Sequence, residues 1–149
     1  MFLAISALGI AATLAATQQQ AESLAQSSNC QTLARELIEE VSSKSFTVQP
    51  NAGWSNGGRD RSTFDDAADY DGYTDNSTTG IKTLQGNVVN FNDGATYTRT
   101  VAFEYRTTPN GSRVGSGDFG MVTVTVTAST GVSSQLQAML SFAATQLKR

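Results

Sequence analysis

From Met1 to Ala16 the chain is uncharged and largely apolar, and no charge appears before Glu22. From Ala21 onward the apolar positions thin out to Ala21, Leu24, Ala25, Cys30, Leu33, Ala34, Leu37, Ile38 and Val41. Their three- and four-residue spacing from Cys30 to Val41 makes one continuous stripe on a helix. Neither half contains a proline, so the pattern predicts a single helix from Met1 to about Ser45. Phe46, Val48 and Pro50 are expected to end it. At 1.5 Å per residue such a helix spans about 65 Å, far more than a compact domain of this size uses. The rod is therefore expected to end in a membrane, in another subunit, or in both. Arg35, Glu36, Glu39, Glu40 and Lys44 fall largely off the stripe, with Arg35/Glu39 and Glu40/Lys44 at i,i+4, and read as a solvated face.

Residues 49–80 lack either periodicity and are too long for an ordinary connection, so they predict an organised or functional loop. Its aromatics, Trp54, Phe64, Tyr70 and Tyr73, are expected to pack it down on the rest of the chain. Residues 81–91, centred on Gly86-Asn87-Val88-Val89-Asn90-Phe91, are a weak strand candidate, and Asn92-Asp93-Gly94 signals a turn. Then Tyr97, Arg99, Val101, Phe103 and Tyr105 alternate with Thr98, Thr100, Ala102, Glu104 and Arg106. After a turn through Pro109-Asn110-Gly111 to Gly117, Val122, Val124 and Val126 alternate with Thr123, Thr125 and Thr127 in a half-buried strand. Ser129-Thr130-Gly131 turns the chain again. In Gln135–Ala143, Leu136, Ala138, Leu140 and Phe142 alternate with Gln135, Gln137, Met139 and Ser141. A short helix fits there too, but the hairpin context favours a strand. Short successive turns imply an antiparallel meander, so the fold class is α+β. The chain divides into a hydrophobic helix segment, 1–20, and a globular head, 21–149. The head holds the amphipathic half of the helix (21–45), the loop (49–80) and a sheet of three or four strands (81–143).

Composition narrows the chemistry. The 149 residues suffice for one modest core plus an appendage. Only 15% are charged, and the small polar residues are abundant, as in exported proteins. A net charge of −3 without a basic cluster argues against nucleic acid. With no histidine and one cysteine, Cys30, the chain excludes Ser-His-Asp and Cys-His catalysis, histidine-bound metals, zinc sites and an intrachain disulfide. No catalytic residue and no small-molecule substrate is expected. Cys30 lies on the apolar stripe and reads as a buried structural thiol.

The apolar start has two readings. A cleaved signal peptide begins with positive charge, whereas the first cation here is Arg35. A membrane span needs roughly 20 apolar residues, and the run to Ala16 falls short. Both shortfalls are explained if a membrane-inserted helix lacks its first few residues.

Asp65, Asp66, Asp69, Asp71 and Asp75 crowd one part of the loop. Carboxylates so grouped supply the oxygen ligands calcium takes, and Asp69-Tyr70-Asp71-Gly72 resembles a fragment of a calcium loop, although the later ligands of an EF-hand are missing. The plainer reading is capping of turns plus ion pairs with Arg59 and Arg61. An acid/base pair of Asp65 and Asp66 would need a cleft and a displaced pKa, which sequence neighbours rarely provide. No other cofactor is expected.

The run Met1-Phe2-Leu3-Ala4-Ile5-Ser6-Ala7-Leu8-Gly9-Ile10 resembles the type IV pilin-like proteins, in their minor pilin or pseudopilin branch. It looks like the stretch that directly follows the family's Phe-Thr-Leu-x-Glu start, so the family's peptidase cleavage and N-methylation signal would lie just upstream. The similarity continues through Thr17-Gln18-Gln19-Gln20-Ala21-Glu22, Leu33-Ala34-Arg35-Glu36-Leu37-Ile38-Glu39-Glu40-Val41, the aspartate loop and the two valine-rich strands. The resemblance implies a lollipop: a long N-terminal helix whose C-terminal half packs on a three- to four-stranded antiparallel sheet. It implies a non-enzymatic structural subunit of a type IV pilus-like or type II secretion-like filament, acting in protein transport or filament assembly. Phe2, Leu3, Ile5, Leu8, Gly9, Ile10 and Leu14 would form the transmembrane or filament-core helix, and Leu33, Leu37, Ile38 and Val41 the helix–sheet core. Its partners would be other pilin-like subunits, and the bacterial inner membrane before assembly, with the head in the periplasm or on an assembled filament at the cell envelope. Small residues at Ala4, Ser6, Ala7, Gly9, Ala11, Ala12, Ala15 and Ala16 would let helices approach closely. The alternative is a membrane-anchored or secreted binding module whose loop holds calcium or a glycan.

Overall fold

A computed structural model of the chain describes residues 2–46, 61–83 and 85–142, with the helical backbone alone for residues 2–11. One helix, α1 (Phe2–Ser43), lays its C-terminal part on a five-stranded antiparallel sheet, an α+β layout. The strands are β1 (Thr74–Asn76), β2 (Tyr97–Arg106), β3 (Arg113–Val114), β4 (Phe119–Ala128) and β5 (Ser133–Ser141). Their spatial order is β1-β2-β4-β5, and β3 pairs with the far end of β2.

The period-two pattern decides which face is covered. Tyr97, Arg99, Val101, Phe103 and Tyr105 of β2 are buried, as are Val122, Val124 and Val126 of β4. Register aligns them in rows: Val101 opposes Val124, which opposes Leu136, and Phe103 opposes Val122, which opposes Ala138. The other face carries threonines and glutamines in the open. Residues 135–141 are strand, as the hairpin context predicts.

On α1 the buried positions are Gln26, Cys30, Leu33, Ala34, Leu37, Ile38, Glu40 and Val41, one stripe facing β4 and β5. Every residue from Ala12 to Ala25 is exposed, including Leu14 at 60% and Leu24 at 72%. Among the described residues no helix is long and apolar enough to cross a membrane.

Four sequence expectations need correction. The helix stops at Ser43 rather than Ser45, because Ser45 is taken up by a bridge to Asp66 and its carbonyl accepts from the Ala67 N–H at 2.8 Å. Residues 81–91 add no strand to the sheet. They fold on themselves through a Lys82–Val88 bridge, with the Thr83 N–H to the Asn87 oxygen and the Val89 N–H to the Ile81 oxygen, each at 2.8 Å. Gly86, at φ +82°, makes that tight turn accessible to the backbone. The sheet begins earlier than residue 81, with β1 inside the aspartate loop, and has five strands rather than three or four. Finally, Glu40 is not on the solvated face; it is 4% exposed.

Candidate functional site

Glu40 lies at the edge of the apolar stripe, three residues after Leu37 and beside Val41, so the helix turns it toward the loop that crosses its end. There the Arg61 side chain meets it with both forks: Nε donates to Oε1 at 2.8 Å and Nη2 donates to Oε2. The Tyr70 hydroxyl donates to the same Oε1 at 2.6 Å. Burial works to raise the Glu40 pKa, but the bonds from Arg61 and Tyr70 outweigh it, and the carboxyl is held below its ordinary value. Tyr70 is pushed up, first by burial and then by the neighbouring carboxylate.

A second buried pair sits beside the first. Arg99 is fully buried near the start of β2, and its Nε donates to Asp75 Oδ1 at 2.8 Å while Nη2 reaches Oδ2. The Lys82 carbonyl joins the pairs, accepting from Arg61 Nη1 at 2.8 Å and Arg99 Nη2 at 3.0 Å. The Tyr73 hydroxyl donates to Asp75 at 3.0 Å, and the Arg61 guanidinium lies over the Tyr73 ring at 5.7 Å. Arg99 Nη1 is buried without a hydrogen-bond partner among the described residues. One ionic network thus ties α1, the 61–83 segment and the sheet together. Beside it is a hollow of about 600 Å3, bordered by Lys44, Arg61, Lys82 and Thr83.

The five aspartates do not converge. Asp66 caps the short 3-10 turn Ala67–Tyr70, its Oδ1 accepting from the Ala68 N–H at 2.8 Å. Asp69 reaches back to accept from the backbone N–H groups of Asp65 and Asp66 at 2.7 and 2.9 Å, completing a capping box. Asp71 Oδ1 accepts from the Phe103 N–H at 2.9 Å and so pins the loop to β2. Asp75 neutralises Arg99. The Asp65 side chain is exposed, while its carbonyl accepts from the Ser45 hydroxyl at 2.8 Å. Among the described residues no three acidic, cysteine or histidine groups come together as metal ligands would. Phe64, Tyr70 and Tyr73 meet edge-on at 4.9–6.0 Å and form the apolar underside of this loop. Trp54 and Arg59 lie outside the described residues.

Leu33, Leu37, Ile38 and Val41 are all buried against the sheet. Cys30 is fully buried, its Sγ 3.7 Å from the Val132 oxygen, and burial pushes the thiol's pKa up. Higher on the helix, Asn29 donates to Asp93 Oδ2 at 2.8 Å, and the Tyr97 hydroxyl donates to the same oxygen. Burial, followed by the Asp93 bond, lifts Tyr97 to about 12. The Thr130 hydroxyl donates to Gln26 Oε1 at 2.6 Å at the last point where helix and head touch. Of the helix positions Phe2, Leu3, Ile5, Leu8, Gly9, Ile10 and Leu14, all continue α1, and Leu14 is exposed.

Two of these residues left a trace in the sequence. Arg99 occupies an inward position between Tyr97 and Val101, and a charge on a buried face demands a counter-ion. Glu40 borders the stripe closely enough to be drawn in by it. Comparison with protein-family models, with curated proteins and with solved structures finds no match for this chain.

Proposed function

We propose that this chain is a non-enzymatic structural subunit of a type IV pilus-like or type II secretion-like filament, of the minor pilin or pseudopilin kind. One observation carries the reading: α1 runs without a break from Phe2 to Ser43, yet every residue from Ala12 to Ala25 is exposed and, among the described side chains, burial begins at Gln26. The helix ahead of Gln26, residues 2–25, extends about 36 Å at 1.5 Å per residue. A lone helix in water is marginal without a packing partner. Small residues alternating with Leu8, Ile10 and Leu14 suit close contact with sister helices, and before assembly with lipid. The head, its loop stapled down by the ionic network, would then face subunits or cargo as a rigid body. The inner membrane with a periplasmic head, and later the envelope filament, are the locations this reading assigns.

Fractionation of cells producing the full chain tests it. The chain is expected in the carbonate-resistant membrane pellet and in sheared surface filaments, and Leu8→Arg with Leu14→Arg should release it from both. A monomeric chain found wholly in soluble fractions would overturn the reading.

A further inference from the structure

The hollow of about 600 Å3 beside the ionic network opens where the end of α1, the Arg61–Thr63 turn and residues 79–86 meet. Its charged border is Glu40, Lys44, Arg61 and Lys82. Glu40 and Arg61 neutralise one another. Lys44 and Lys82 have no such partner: among the described residues neither ammonium is paired with a carboxylate. Lys44 Nζ donates to the Phe64 carbonyl at 2.7 Å and keeps its other protons free, and Lys82 is exposed. Two positive charges thus stand uncompensated around a concavity, on a chain whose net charge is −3. A cleft lined by one sign of charge focuses its field and draws in the opposite sign.

The uncharged part of the border is hydrophilic. Among the described residues it consists of Ser62, Thr79, Thr83, two glycines that add no side chain, and the single ring of Tyr73. No aliphatic side chain lines it, so it offers a lipid tail or an apolar peptide anchor nothing to bury against. The threonines call for both kinds of hydrogen-bond partner. The Thr79 hydroxyl already donates to Asn76, which leaves its lone pairs to accept. Thr83 Oγ1 accepts from the Asn87 N–H at 3.2 Å, which leaves its proton to donate. A bare carboxylate or sulfate ion only accepts, and it fills a small part of the hollow. A ligand that carries a carboxylate together with several hydroxyls answers the lysines and both threonines at once.

We propose that this hollow binds a uronic-acid residue of an acidic saccharide, its carboxylate held by Lys44 and Lys82 and its hydroxyls exchanging hydrogen bonds with Thr79 and Thr83. The site goes beyond the filament reading and does not rest on it, because the hollow belongs to the head and the rod from Ala12 to Ala25 takes no part.

Calorimetric titration of the full chain with trigalacturonate tests the proposal, in a polyoxyethylene detergent whose headgroup carries no sugar. Saturable binding is expected. The methyl-esterified trisaccharide keeps its rings and most hydroxyls but loses the charge, and should bind about tenfold or more weakly. Lys82→Glu should weaken trigalacturonate by about tenfold or more. Arg113→Glu makes the same charge change on β3, at the far end of β2, and should leave affinity within about twofold. Because Lys82 is exposed and its backbone carbonyl still serves Arg61 and Arg99, the melting midpoint of Lys82→Glu should stay unchanged, which separates lost binding from lost fold. Lys44→Gln should weaken binding in the same direction. No saturable binding, equal binding of the ester, or equal losses in Lys82→Glu and Arg113→Glu would overturn the proposal. Triglutamate bound as tightly as trigalacturonate would overturn it too, by assigning the hollow to acidic side chains in general. None of these outcomes bears on the fractionation that tests the filament reading.

Discussion

Glu40 bears more of the architecture than its position on the helix suggests. Its carboxylate, in a residue 4% exposed, receives Arg61 and Tyr70, and a buried charge left without its partner is costly. Glu40→Ala should therefore lower stability by about 3–5 kcal/mol in urea titrations. The pH dependence has a definite sign. The folded-state pKa of Glu40 lies below its unfolded value, so its contribution is complete above about pH 4.3 and is lost as pH falls through the folded value. Urea midpoints should decline in acid, and Glu40→Gln, weaker at pH 7, should decline less steeply. Asp93 is lowered as well, its bonds from Tyr97 and Asn29 outweighing burial, so some acid dependence persists. At the alkaline end Tyr97 favours its neutral form up to about 12, so its share of stability fades as pH rises from about 10 toward that value. The aspartates divide by job. Asp71→Ala leaves the Phe103 N–H without its acceptor and should cost about 1–3 kcal/mol, whereas Asp71→Asn keeps an oxygen there and should cost less. Because the carboxylates cap and bridge rather than converge, millimolar calcium should leave the thermal midpoint of the head unchanged in a melting assay.

The elements differ in what holds them. α1 is two objects in one: a buried stripe from Gln26 to Val41 and an exposed rod from Ala12 to Ala25. Leu37→Ala should cost about 2–5 kcal/mol, since it empties a fully buried site. Leu24→Ala, on the open rod, should change head stability by less than about 0.5 kcal/mol in the same unfolding assay. Between helix end and sheet the packing is equally exacting. Phe46 meets Phe103 and Tyr105 with ring centroids 6.0 and 5.9 Å apart, directly over Gly120 of β4. A Cβ on Gly120 would come within 2.6 Å of the Phe103 ring, so Gly120→Ala should destabilise by about 1–3 kcal/mol and disturb the near-ultraviolet aromatic signal.

At the scale of the molecule, three surfaces remain after the core is accounted for: the uncovered rod, the open threonine-rich sheet face and the β5 edge. Lipid or sister helices would cover the rod. The 61–83 segment is different, because its own ionic network closes it against the head. Its length marked it as organised, and of its aspartates Asp75 is paired with Arg99 and lies 3.9 Å from Arg61.

Periodicity by itself determined the helix, β2, β4, β5, their inward residues and the break between an apolar rod and an amphipathic half. Those are local properties: a side chain's face follows from a period of 3.6 or 2, and burial follows from the face. The place of Glu40, the pairing of Arg99 with Asp75, the extra strands β1 and β3 and the self-folded turn at residues 81–89 were decided only in three dimensions. Each depends on groups far apart in the chain. Glu40 meets Arg61 only because the loop returns across the helix end, and β1 forms only because β2 offers it an edge. A sequence states that a buried charge needs a counter-ion; the tertiary fold chooses which one.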